Sequence, residues 1–100
     1  LKFANENIEF YTKKNLEDYV TVLNKKNILI LKENFFSQSR EVVFRSLTEV
    51  IKIVGKRYYA VRGKKIDKII DLVNTKSSFK VTLGGCIIKK VSETVILCKE

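Results

Sequence analysis

The chain contains no proline, histidine, methionine or tryptophan, and only four glycines and two cysteines in 100 residues. Without proline, breaks between elements must come from glycine and polar turns. Without histidine there is no imidazole base and no imidazole metal ligand. Cys86 and Cys98 alone do not make a zinc site, because tetrahedral zinc takes four ligands, mostly nitrogen and sulfur. They could close one disulfide or stand as two thiols; the reduced, largely buried state of a cytosolic protein is the expectation. No apolar run approaches the roughly 18 residues that a membrane span needs. The first residues mix Lys2, Asn5, Glu6, Asn7 and Glu9 into the apolar ones, unlike a signal peptide. With Leu1 first and no methionine anywhere, the chain is expected to be a piece of a longer protein.

What is present suffices for one modest core: 45% of residues are hydrophobic. The charge is lopsided, with 20 Lys and Arg against 11 Asp and Glu, a net +9. Residues 1–36 carry only +1, residues 37–75 carry +5 and residues 76–100 carry +3. Such an excess speaks of partners rather than fold, and nucleic acid or another polyanion is the expected one.

Apolar positions Ile8, Tyr11, Tyr19, Val20 and Leu23 predict a helix over about 4–24, with Glu9–Lys13 and Lys14–Asp18 as i,i+4 pairs. Asn24 to Asn27 reads as a polar turn and Ile28 to Leu31 as a short strand. A second helix over about 39–54 has Ser37 or Ser39 as cap and one stripe of Val43, Leu47, Val50, Ile51 and Val54. Arg45 has Glu41 and Glu49 one turn away on either side. Gly55 stands where a left-handed C-terminal residue is wanted. A linker over 56–62 leads to a third helix, about 63–74, with Ile66, Ile69, Ile70 and Val73 on one face. The period then changes to two: Phe79, Val81 and Leu83 alternate with Lys80 and Thr82. Gly84-Gly85 is a two-residue turn, followed by strands over 86–91 and 94–98. The expected fold class is α+β, three helices followed by a small antiparallel β-meander.

Asp67 and Asp71, one turn apart beside Lys64 and Lys68, suggest solvated ion pairing more than general acid–base work. The stronger signal runs from Lys52 to Lys68. It holds Lys56, Arg57, Arg62, Lys64 and Lys65, with Tyr58 and Tyr59 interleaved and only Asp67 opposing. Cations crowding a helix start are locally unfavourable, yet with the free N–H groups there they suit a phosphate. Arg57, Arg62, Lys64, Lys65 and Lys68 are the expected phosphate-binding residues. Arg45, Lys56 and Tyr58 are assigned either RNA contact or a structural role.

From about Asn27 onward the order of signals resembles the C-terminal-side domain of the tRNA(Ile)-lysidine synthetase family, particularly its alphaproteobacterial type. Arg45-Ser46-Leu47, Val54-Gly55, Tyr59-Ala60-Val61-Arg62, the Ile66/Ile69/Ile70/Leu72 helix, Thr82-Leu83-Gly84-Gly85-Cys86 and Leu97-Cys98-Lys99-Glu100 carry the likeness. The resemblance implies a non-catalytic tRNA-binding domain, residues 27–100, with residues 1–26 connecting it to an upstream catalytic domain. That family uses ATP to adenylate the wobble cytidine of a CAU anticodon and then joins lysine to it. The Ser-Gly-Gly-x-Asp-Ser phosphate loop for that chemistry is absent here, so ATP and lysine would bind outside this chain and tRNA(Ile) would be its partner, in the cytoplasm. The alternatives are an interdomain or dimerisation module with incidental charge, presenting Phe3, Phe10 and Tyr11, and an unrelated basic nucleic-acid-binding domain.

Overall fold

A computed structural model describes residues 2–23, 27–55 and 63–100. The chain runs α1 (Lys2–Tyr19), β1 (Val20–Leu23), β2 (Ile28–Leu31), a 3-10 turn (Glu33–Ser37), α2 (Arg40–Gly55), α3 (Gly63–Thr75), β3 (Ser78–Leu83), β4 (Cys86–Val91) and β5 (Thr94–Lys99). The fold is α+β, as the periodicity indicates. The expected meander β3–β4–β5 is there, but the sheet has five strands in the order β1-β2-β5-β4-β3, with every neighbour antiparallel.

The first helix is shorter than its apolar spacing suggests. It ends at Tyr19, and Val20 and Leu23 belong to a strand instead. Val20-Thr21-Val22 is β-branched, which costs a helix χ1 freedom, and β2 offers it a pairing edge from Val20↔Leu31 to Leu23↔Ile28. The expected turn at Asn24-Lys25-Lys26 lies outside the described residues, and the boundary at 26/27 falls inside this hairpin. The α1 face that packs is also rotated from the expected one. Thr12, Asn15, Leu16 and Tyr19 turn inward, whereas Tyr11 is exposed. Asn15 Nδ2 donates to the Phe35 carbonyl at 3.2 Å and to Ser46 Oγ at 3.1 Å, tying α1 to the 3-10 turn and α2. Neither Glu9–Lys13 nor Lys14–Asp18 is among the ion pairs of the described residues.

Ser39 caps α2: its Oγ accepts from Val42 N–H at 3.4 Å. The α2 stripe is buried as its spacing requires, with Leu47, Val50 and Val54 at 0% exposure. It meets the inward strand residues Leu29, Leu31, Ile88, Val95 and Leu97, together with Ile66, Ile69, Ile70 and Val73 of α3. Each large aliphatic side chain buried there contributes about 1.5–3 kcal/mol.

Gly55 is not a left-handed cap. The glycines with positive φ are Gly84 (61°) and Gly85 (81°), as a two-residue hairpin turn needs. Gly55 is needed for space, because a Cβ built on it would overlap the Gly84 carbonyl oxygen and come within 3.2 Å of Cys86 Sγ. The end of α2 thus rests directly on the β3–β4 turn, where Cys86 Sγ also donates to the Ile51 carbonyl at 3.3 Å. Cys86 is buried on the inner face. Cys98 sits opposite Ile87 on the outer face, so the two thiols lie on different sides of the sheet and neither is in a disulfide.

Lys90 is a cation used structurally. Its Nζ donates to the carbonyls of Val73 at 2.6 Å and Lys76 at 2.8 Å, at the negative end of α3. Beside it, Glu33 and Glu93 of the β4–β5 turn line one small pocket with Lys90. Hydrogen bonding to Glu93 and the nearby Glu93 charge favour the protonated form and raise the Glu33 pKa above its ordinary value, with Lys90 pulling the other way.

Two consequences are measurable. Gly55→Ala must push the β3–β4 turn away from α2, and chemical denaturation should show a loss of about 1–3 kcal/mol; an unchanged midpoint would rule out the close approach. Glu33 holds its proton more tightly in the folded state. Its contribution to stability is therefore full below the unfolded-state pKa and lost as pH rises through the folded value. Glu33→Gln, which cannot ionise, should melt higher than the parent at neutral pH, with the gain vanishing below about pH 4.

Candidate nucleic-acid interface

The structure brings together three of the five expected phosphate-binding residues. Lys64 and Lys65 lie in the first turn of α3 and Lys68 in the next, and all three side chains are exposed. They occupy the helix side away from the Ile66/Ile69/Ile70/Val73 stripe, which the core holds in place. Spacings of i,i+4 (Lys64–Lys68) and i,i+3 (Lys65–Lys68) put their Cβ atoms about 5–6 Å apart. Arg57, Arg62, Lys56 and Tyr58 lie outside the described residues.

The position of α3 is set from two directions. At its start, a Cβ on Gly63 would stand 3.3 Å from the Phe44 ring, so the helix begins close against α2. Along its side, Arg40 at the head of α2 reaches Asp71 Oδ1 at 3.0 Å and Asp67 Oδ1 at 3.3 Å. These bonds also hold the Arg40 guanidinium firmly protonated, with its pKa raised chiefly by the Asp71 hydrogen bond.

The solvated ion pairing expected of Asp67 and Asp71 is there, but its cation is Arg40 rather than a neighbouring lysine. Arg40, distant in sequence, takes both carboxylates, and no ion pair among the described residues involves Lys64, Lys65 or Lys68. The first turn of α3 carries no acid. Three like charges at helical spacing, over the positive end of the helix dipole, each cost a few tenths of a kcal/mol. A phosphate there would meet ammonium groups and free backbone N–H groups together, which relieves that cost.

Arg45 belongs elsewhere. It pairs with Glu41 at 3.4 Å, while Glu49 pairs with Lys52 at 3.7 Å. Arg45 lines a groove between α1 and α2 rather than extending the lysine patch. Phe10 (61%) and Tyr11 (52%) are exposed on α1, in edge-to-face contact at 5.4 Å. Sequence reasoning missed the role of Arg40 because its partners lie 27 and 31 residues away. Among the described residues the buried polar side chains are Thr12, Asn15 and Ser46, and no three His, Cys, Asp or Glu side chains could hold a metal ion. No described helix is long and apolar enough to cross a membrane.

Comparison with known proteins adds a likeness to two curated sequences. The chain is 27% identical, over an alignment of 101 positions that covers all of it, to tRNA(Ile)-lysidine synthases of Wolbachia sp. subsp. Brugia malayi (strain TRS) and Wolbachia pipientis wMel. It spans 23% of the length of these curated relatives. The stretch it matches is their C-terminal part. No family model matches the chain, and no solved structure does.

Proposed function

We propose that this chain is the C-terminal-side, tRNA-binding part of a lysidine-forming ligase of the alphaproteobacterial type. The observation that carries the reading is the end-to-end similarity to two tRNA(Ile)-lysidine synthases. The unopposed lysines of α3 supply a physical means. In this reading the chemistry, with its ATP and lysine, belongs to an upstream catalytic domain, and residues 1–26 connect to it. The substrate is tRNA(Ile) with a CAU anticodon, handled in the cytoplasm. Lys64, Lys65 and Lys68 meet backbone phosphates, joined by Arg57 and Arg62 from the preceding segment. Such contacts position an RNA stem without reading its sequence, and an A-form stem is recognised by shape.

One observation favours a second role for the same domain. The exposed Phe10 and Tyr11 on α1 offer an apolar patch for packing against the catalytic domain. The two roles use different faces and are compatible.

The test is binding of the chain to tRNA(Ile) with a CAU anticodon, to another tRNA and to duplex DNA, across a salt series. Phosphate contacts predict tRNA affinity falling steeply with salt, and Lys64→Ala/Lys65→Ala/Lys68→Ala should lower the log–log slope by about 2–3. Equal slopes for the parent and the triple variant would remove α3 from the interface. Preference for duplex DNA over tRNA at matched salt would overturn the tRNA reading.

A further inference from the structure

The helices share one core with the inward residues of the sheet, among them Phe79, Val81 and Leu83 of β3 and Cys86 and Ile88 of β4. Side chains alternate along a strand, so Lys80 and Lys89 stand on the opposite face. They are register partners, and both are exposed. Ser78 and Thr82 flank Lys80 on that face, Ile87 and Val91 flank Lys89, and Ile96 of β5 is the next residue across from Lys89. None of the outward residues of β3, β4 and β5 is acidic, and neither lysine is in an ion pair among the described residues. Glu93, in the β4–β5 turn, lines a pocket with Lys90, whose ammonium is turned to the helix side by its bond to the Val73 carbonyl.

Like charges directly opposite one another destabilise a strand pair. Protection of the sheet edge accounts for Lys80, because β3 is the last strand and a lysine there discourages pairing with another chain. It does not account for Lys89, which lies on the interior strand β4. With Cβ atoms about 4.5–5.5 Å apart, both ammonium groups can reach one phosphate, which turns their repulsion into two charge-assisted bonds. The pair is also continuous with the patch already described. α3 packs against β3 from the helix side, and exposed Lys76 stands at the α3–β3 junction. Lys68, Lys76, Lys80 and Lys89 therefore lead around the β3 edge from one side of the sheet to the other. The +3 excess of residues 76–100, which α3 leaves unused, thereby finds a place.

We propose that the outward face of β3 and β4 is a second RNA contact, in which Lys80 and Lys89 together hold one backbone phosphate of the RNA that meets α3. The proposal rests on the tRNA-binding reading and extends it from one helix to both sides of the β3 edge. Charge complementarity selects the occupant: paired cations on an acid-free face call for a polyanion, and a second copy of a chain of net charge +9 does not supply one. Ile87 and Ile96 beside the pair give a ribose an apolar surface to lie on.

The experiment measures tRNA binding by the chain across a salt series, with ¹⁵N amide shifts as a second readout. Lys80→Ala/Lys89→Ala should weaken binding about tenfold and lower the log–log salt slope by about 1, and should lower it further when added to the α3 triple alanine variant. Lys80→Arg/Lys89→Arg, which keeps both charges, should keep the parent slope. Lys80→Glu sets opposite charges across the strand pair. It should raise the melting temperature yet weaken tRNA binding more than Lys80→Ala does, a combination that damage to the fold does not produce. Saturable shifts of the Lys80 and Lys89 amides are expected with tRNA, and not with inorganic phosphate or a glutamate-rich peptide at the same concentration. A parent slope in the Lys80/Lys89 alanine variant, beside a lowered slope in the α3 variant, would overturn the second contact and leave the α3 reading standing. Saturation by inorganic phosphate, or equal shifts with the acidic peptide, would assign the face to a small anion or to a protein and overturn it too. A parent chain with no salt-dependent tRNA binding would overturn both.

Discussion

The buried face of α2 is the constraint to which the other elements conform. Its stripe from Val43 to Val54 packs on the inner faces of β2, β5 and β4, and the same core takes the apolar side of α3. At the C-terminal end of α2, Gly55 allows the helix to rest on the Gly84-Gly85 turn, closer than any side chain would permit. At its N-terminal end, Arg40 reaches across to Asp67 and Asp71. On its flank, Ser46 receives Asn15 from α1. Displacing α2 would therefore move the hairpin, the lysine-bearing helix and the first helix together.

The charges divide into those spent on the fold and those left over. Lys90 caps the end of α3, and Arg40 occupies the only two acids on that helix. What remains on α3 is Lys64, Lys65 and Lys68 without opposition. A helix that gives up its own carboxylates to a distant arginine keeps a positive face it would otherwise have neutralised. Between α1 and α2 the charges are mixed, with Glu9, Glu41 and Glu49 lining a groove together with Lys13 and Arg45. The excess of a chain of net charge +9 is thus unevenly placed, standing clear on α3 and offset between α1 and α2.

Much of this fold was legible in the sequence because the informative segments repeat at one period. The Ile66/Ile69/Ile70/Val73 stripe, the Val43-to-Val54 stripe and the alternation over 79–83 each follow a single geometry, and each is found as read. Where the periodic signal is weak, local reasoning failed. The inward face of α1 includes Thr12 and Asn15, polar residues that no hydrophobic count would select. Val20 to Leu23 is too short to declare its period, and it became a strand because β2 was beside it to pair with.

By itself, then, the sequence determined the α+β class, the α2 and α3 core stripes, the Gly84-Gly85 turn and the basic character of residues 37–75. These depend on neighbours a few residues away, and near neighbours are written in order. Tertiary structure alone decided that β2 lies between β1 and β5, that Gly55 is needed for room rather than for φ, that Arg40 claims Asp67 and Asp71, and that Asn15 ties α1 to Ser46 of α2. Each of these joins residues far apart along the chain, and only folding brings such residues within reach of one another.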